Sequence, residues 1–237
     1  MKNKPSLEEV EINAIVEKSM KVYNGANAPG ALKVLNSGLK KFPDSVRLKY
    51  NVAVMESEDS EKYGQKKMLR MQRATAKTLR KLLYSARGMT LNLRASMRNE
   101  YYWFSRQPRK QYALGVELVK KGRKRSYYSQ GVGACELAKR YQDEGRTKLM
   151  LRWAKISQKA WENYFKVEPY WYNSYIFYAR SFGFQGKFQE MEVALRKSAK
   201  IAKRPKDFYE FELIRAEFGK SESGVTRDKR GNVRSGK

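Results

Sequence analysis

The sequence of 237 residues contains no histidine and a single cysteine, Cys135. The first absence removes Ser-His-Asp and Cys-His arrangements and every zinc site that uses imidazole. The second removes an internal disulfide and a four-thiolate site. No stretch approaches the ~18 consecutive apolar residues of a membrane span. The N-terminus, MKNKPSLEEVEINAIVEKSM, carries Glu8, Glu9, Glu11 and Glu17 and has no apolar signal-peptide core. A lone thiol fits a reducing compartment, and the expectation is a soluble, cytoplasmic protein. No catalytic residue, metal ligand or cofactor is expected. Gly131-Val132-Gly133 lacks the strand and third glycine of a dinucleotide fingerprint, no Gly-rich Lys-Ser/Thr loop occurs, and Asp143-Glu144 simply ends a helical run.

What the chain does contain is apolar side chains at 41%, aromatics at 13% and a net charge of +27. That apolar content excludes a disordered polybasic chain and predicts a folded core. Helical periodicity dominates. Residues 28–42 space Ala31, Leu35, Leu39 and Phe42 by three and four, and Pro43-Asp44-Ser45 stops the run. An Asp/Ser cap then restarts a helix with Val46, Tyr50, Ala53 and Val54 on its apolar face. Further runs cover about 6–23, 62–87, 90–107, 109–121, 127–144, 147–167, 170–184, 187–202 and 206–218. Gly25, Gly88, Gly122, Gly145 and Gly186 stand where runs end, as helix C-caps do. No segment alternates like a strand. The expected architecture is all-α, an antiparallel array of about ten short helices over residues 1–220 taken as one domain. The tail 221–237, SESGVTRDKRGNVRSGK, holds only Val225 and Val233 as aliphatic side chains and is expected to be disordered.

Residues 172–205 carry Tyr175, Tyr178, Ala179 and Phe182 in a first helix and Gly186 and Phe188 at a turn. Met191, Leu195, Ser198 and Ile201 follow in a second helix, and Pro205 closes the unit. This 34-residue pattern resembles a tetratricopeptide repeat (TPR). Weaker copies lie at 16–43, with Val16, Ser19, Met20, Tyr23, Ala31, Leu35, Gly38 and Pro43, and at 46–55, where Tyr50-Asn51-Val52-Ala53 opens a unit. The pattern fails between 60 and 125, so the resemblance covers about a third of the chain. It implies an α-solenoid that binds a protein in its groove, lined in the best repeat by Asn173, Ile176, Arg180 and Phe184. The carboxylate clamp of chaperone-binding members is not carried over, because Ile176 and Arg180 depart from it.

The charge is concentrated. Residues 1–63 carry a net +1, 64–99 carry +10 with no acid, and 100–126 carry +6. Lys66, Arg73, Arg80, Arg87 and Arg94 recur every seven residues, with Arg70, Lys77 and Arg98 at helical offsets between them. Met68, Met71, Leu79, Leu82, Ala86, Met89 and Leu93 occupy another face. One long helix would present a single cationic stripe. Alternatively Gly88 ends one helix and Thr90 caps the next, splitting the stripe in two. Like charges three or four apart destabilise a helix, so their accumulation points to an external anion rather than a merely solvated face. Glu56, Glu58, Asp59 and Glu61 are expected to cap the N-terminus of this basic helix.

Tyr101-Tyr102-Trp103-Phe104, Tyr127-Tyr128 and Tyr170-Trp171-Tyr172 could stack bases beside Arg106, Arg109 and Arg125, or fill the core. Core filling is the expectation for most, with Tyr101–Phe104 as the exception, since four consecutive aromatics cannot all face one core. The leading functional expectation is a non-enzymatic scaffold that binds a protein partner with an acidic surface. The alternative is an RNA- or ribosome-associated protein that binds phosphate backbone through residues 66–125.

Overall fold

The computed structural model describes residues 6–24, 28–58, 65–85, 89–202, 209–219, 226–227 and 233–234. Among them are eleven α-helices: α1 (Leu7–Asn24), α2 (Ala28–Lys41), α3 (Val46–Glu58), α4 (Gln65–Ser85), α5 (Leu91–Phe104), α6 (Pro108–Lys120), α7 (Tyr127–Asp143), α8 (Thr147–Phe165), α9 (Tyr172–Gly183), α10 (Phe188–Ala202) and α11 (Tyr209–Glu217). A 3₁₀ turn at Lys124–Ser126 precedes α7. In the tail, Thr226–Arg227 pairs antiparallel with Val233–Arg234. The expectations for Gly25, Ala86, Arg87, Gly88, Pro205, the acidic cap at Asp59 and Glu61, and the rest of the tail lie outside the described residues.

Local chemistry sets the helix ends. Ser6 and Glu9 form a capping box: the Glu9 amide donates to Ser6 Oγ and the Ser6 amide to Glu9 Oε2, each at 3.1 Å. Ser45 Oγ accepts from the Leu48 amide at 3.3 Å and starts α3. Pro108 occupies the first turn of α6, where its missing N–H costs nothing. Gly122, Gly145 and Gly186 have φ of 80°, 68° and 71°, the left-handed geometry that ends α6, α7 and α9.

The helices gather in two compact units, Met1–Arg106 and Gln107–Lys237, where the sequence suggests one domain. Arg106, the last residue of the first unit, has φ of 54°, uncommon for a residue with a Cβ. The cationic segment 64–126 therefore does not belong to one body: α4 and α5 lie in the first unit, α6 and the 3₁₀ turn in the second.

In the first unit, Ile12, Val16, Ala28, Ala31, Leu35, Leu48 and Met55 form one cluster across α1, α2 and α3. A second cluster joins Ala53 of α3, Ala76 and Leu79 of α4, and Phe104 of α5. In the second unit, α7 lies close to both α6 and α8, and α9 packs on α10. Ile176, Ala179, Phe182, Met191, Leu195, Phe211 and Ile214 bury the faces of α9, α10 and α11 against each other. Alternate helices also touch, α1 with α3, α3 with α5, α7 with α9 and α9 with α11. Within the units, α1–α2 thus leans on α3, α3–α4 on α5, α7–α8 on α9 and α9–α10 on α11, a helical repeat-like arrangement.

Small residues permit the closest approaches. Gly131 and Gly133 of α7 stand back to back: a Cβ on the first would meet the Trp161 ring at 2.4 Å, and one on the second the Tyr112 backbone nitrogen at 2.6 Å. This is the structural use of the Gly-Val-Gly sequence, a packing device inside a helix. Ala179 and Ser198, the small positions of the best TPR-like unit, are fully buried, and Ser198 Oγ donates to the Tyr172 carbonyl at 3.0 Å.

Candidate functional site

The strongest concentration of unused charge is on α4. Its apolar face is anchored by buried Thr75, Ala76 and Leu79, and Thr75 Oγ1 donates to the Ala53 carbonyl of α3 at 3.1 Å. That anchoring turns Lys66, Arg70, Arg73, Lys77, Arg80 and Lys81 outward, all of them exposed. At 3.6 residues per turn these six cations fall within an arc of about 100°. None of the six has a carboxylate within 4 Å among the described residues.

Tyr84 belongs to the same face. It lies about five turns, or about 27 Å, beyond Lys66 and so at nearly the same azimuth. Tyr84 is 83% exposed. With Lys77, Thr78, Arg80 and Lys81 it lines a shallow, open depression. The candidate stripe omits Lys81, one of the cations of the acid-free segment 64–99, and sequence reasoning missed Tyr84; the 18-residue offset from Lys66 was the signal that could have found the tyrosine.

Of the two arrangements left open by the sequence, the stripe divided between two helices is the one observed. α4 ends at Ser85 and α5 begins at Leu91, with Thr90 Oγ1 accepting from the Leu93 amide at 3.2 Å. Thr90 in extended conformation breaks the helical register, as the two-helix alternative requires. Lys66, Arg70, Arg73, Lys77 and Arg80 share one helix; Arg94 and Arg98 stand on another, and Arg87 lies outside the described residues. Arg94 is exposed. Arg98 is engaged locally, its guanidinium carbon 6.0 Å from the centre of the Tyr102 ring.

The four consecutive aromatics on α5 are mostly absorbed by the core. Phe104 is buried, and Tyr101 and Trp103 pack on the cluster of Ala53, Ala76 and Leu79. Tyr128 meets Trp161 edge-on at 5.4 Å, and Tyr172 packs against the α9–α10 core. Arg109 donates to the Tyr141 hydroxyl at 2.9 Å and Arg125 pairs with Glu168 at 3.3 Å. Tyr170 alone of these aromatics is strongly exposed.

The α9 groove is corrected. Ile176 and Phe184 are 5% and 3% exposed and belong to core clusters. Arg180 donates through Nε and Nη2 to Glu217 of α11, both at 3.0 Å, and through Nη1 to Glu136 of α7 at 3.0 Å. Burial disfavours its charge, but Glu217 and Glu136 hold the guanidinium well above its ordinary pKa. Packing of α11 and Phe218 over α9 covers these residues, so of the four only Asn173 retains a half-buried position free of the core.

Burial also displaces a carboxyl and a thiol. Burial lifts the Glu100 carboxyl to about 7, against the opposing hydrogen bond from Asn99 at 3.1 Å. Burial likewise pushes the Cys135 thiol up to about 12, which leaves it a poor nucleophile. Among the described residues no cluster of three acidic or thiol side chains is placed to hold a metal ion, and no helix is long and apolar enough to cross a membrane. No protein-family model matches the chain, and no curated protein matches it either.

Proposed function

We propose that the protein is a non-enzymatic, cytoplasmic, TPR-like helical scaffold that docks an anionic macromolecule on the exposed face of α4. The observation that carries this reading is the row Lys66, Arg70, Arg73, Lys77, Arg80 and Lys81, none paired with a carboxylate among the described residues. Several like-charged pairs at three- and four-residue spacing each weaken the helix by a few tenths of a kcal/mol. A bound polyanion removes that repulsion. The TPR-like part of the reading is supported by the contacts between alternate helices and by buried Ala179 and Ser198 at the α9–α10 contact.

The partner site moves with the structure. The groove expected at Asn173, Ile176, Arg180 and Phe184 is covered by α11, so protein binding there is not proposed. The test is affinity capture from a lysate, with and without nuclease, comparing the native chain with a variant carrying Arg73→Glu, Lys77→Glu and Arg80→Glu. The variant is expected to lose the principal partner while keeping its helical circular dichroism. A folded variant that retains every partner of the native chain overturns the reading.

A further inference from the structure

Resting on the α4 reading, we infer that the ligand of this face is single-stranded nucleic acid, with Tyr84 as a platform for an unstacked base. Two observations converge. The six cations form a row about 22 Å long on one helix face, at the rise of 1.5 Å per residue, suited to following an extended phosphate backbone. At the end of that row Tyr84 presents an almost fully solvated ring inside a depression whose other walls are Lys77, Thr78, Arg80 and Lys81.

An exposed aromatic among cations is poorly explained by an acidic protein segment. Carboxylates need cations but offer nothing that a solvent-facing phenol ring would bind. A nucleotide carries both complements, a phosphate for the cations and a π face for the ring. A duplex keeps its bases stacked and hidden from such a ring, so the strand must be single. A row of lysines and arginines contacts phosphates, which carry no sequence information, and the expected binding is indifferent to base sequence.

The test uses the full-length chain and a fluorescent oligouridylate, with binding followed by anisotropy across a salt titration. If four to six of the cations engage phosphates, log K should fall against log[salt] with a slope of about −3 to −4. Arg73→Gln with Arg80→Gln should reduce that slope by about 1 to 2. The charge-matched control, Lys148→Gln with Arg152→Gln on α8, should leave it unchanged. Tyr84→Ala should weaken binding about 5- to 150-fold without altering the slope, while Tyr84→Phe retains it.

Polyglutamate and a duplex of equal charge are the contrasting arms. If Tyr84→Ala leaves oligouridylate binding intact, or the α8 control costs as much as the α4 pair, the inference is overturned. If polyglutamate binds through Arg73 and Arg80 and oligouridylate does not, the nucleic-acid inference falls and the α4 docking reading survives. If neither polymer binds at low salt, both fall together.

Discussion

The two units use arginine in opposite ways. In the second unit Arg180 ties α9 to α7 and α11 through Glu136 and Glu217, and Arg215 ties α11 to α10 through Glu192 at 2.7 Å. In the first unit, the arginines of α4 reach no carboxylate among the described residues. A cation near a buried carboxylate is a tie between helices, whereas a cation on a solvated row is a surface. The difference lies in whether neighbouring helices supply acids, and α4 draws none from α3 or α5 among the described residues.

Breaking a tie should cost most. Arg180→Met takes the guanidinium away from Glu217, whose side chain is 3% exposed and keeps Lys139 at 3.8 Å, and from the partly exposed Glu136. Removing one partner of a buried pair costs up to about 3–5 kcal/mol. Urea unfolding of the full chain, read by tryptophan fluorescence, with Trp153, Trp161 and Trp171 all in that unit, measures it. A loss below about 1 kcal/mol would show that these ion pairs do not hold α11 in place.

Glu100 sharpens the contrast next, because it is the first unit's own buried carboxyl and has no cation within 4 Å among the described residues. The folded chain keeps its proton up to about 7, whereas the unfolded chain releases it near 4.5. Between those values the folded state holds more protons, so stability declines as pH rises through that window and levels off above it. Glu100→Gln should remove the decline and stabilise the protein at pH 8 by on the order of a few kcal/mol. Denaturation midpoints at pH 5 and pH 8 decide the matter; an unchanged difference between them sinks the assignment.

The smallest effect is expected on α4. Arg73→Gln with Arg80→Gln relieves like-charge pairs and should raise stability by roughly half a kcal/mol or leave it unchanged. A calorimetric loss above about 1 kcal/mol would mean that these arginines hold the fold rather than a ligand.

Much of the helical order was legible because its signals are local. The φ requirement at Gly122, Gly145 and Gly186 and the cap at Ser45 act within one turn of chain, and so did the Thr90 start of α5. The α4 face was legible too, since spacing alone places Lys66, Arg70, Arg73, Lys77 and Arg80 together. The α9 groove was not. Glu136 and Glu217 lie 44 and 37 residues from Arg180, and no pattern within α9 announces that α11 will cover Ile176 and Phe184. The boundary after Arg106 was equally hidden, because separation into two bodies depends on contacts between helices rather than on the composition of any one of them.

The contact between Gly131 and Trp161 has an evolutionary consequence. The smallest residue of α7 lies directly beneath one of the largest of α8, and no side chain fits between them. A methyl group at 131 is tolerated only once the indole has gone, and a shorter ring at 161 opens a void only a larger residue at 131 can fill. Neither position can drift alone. Divergent descendants of this chain should therefore change the two positions as a pair or keep both.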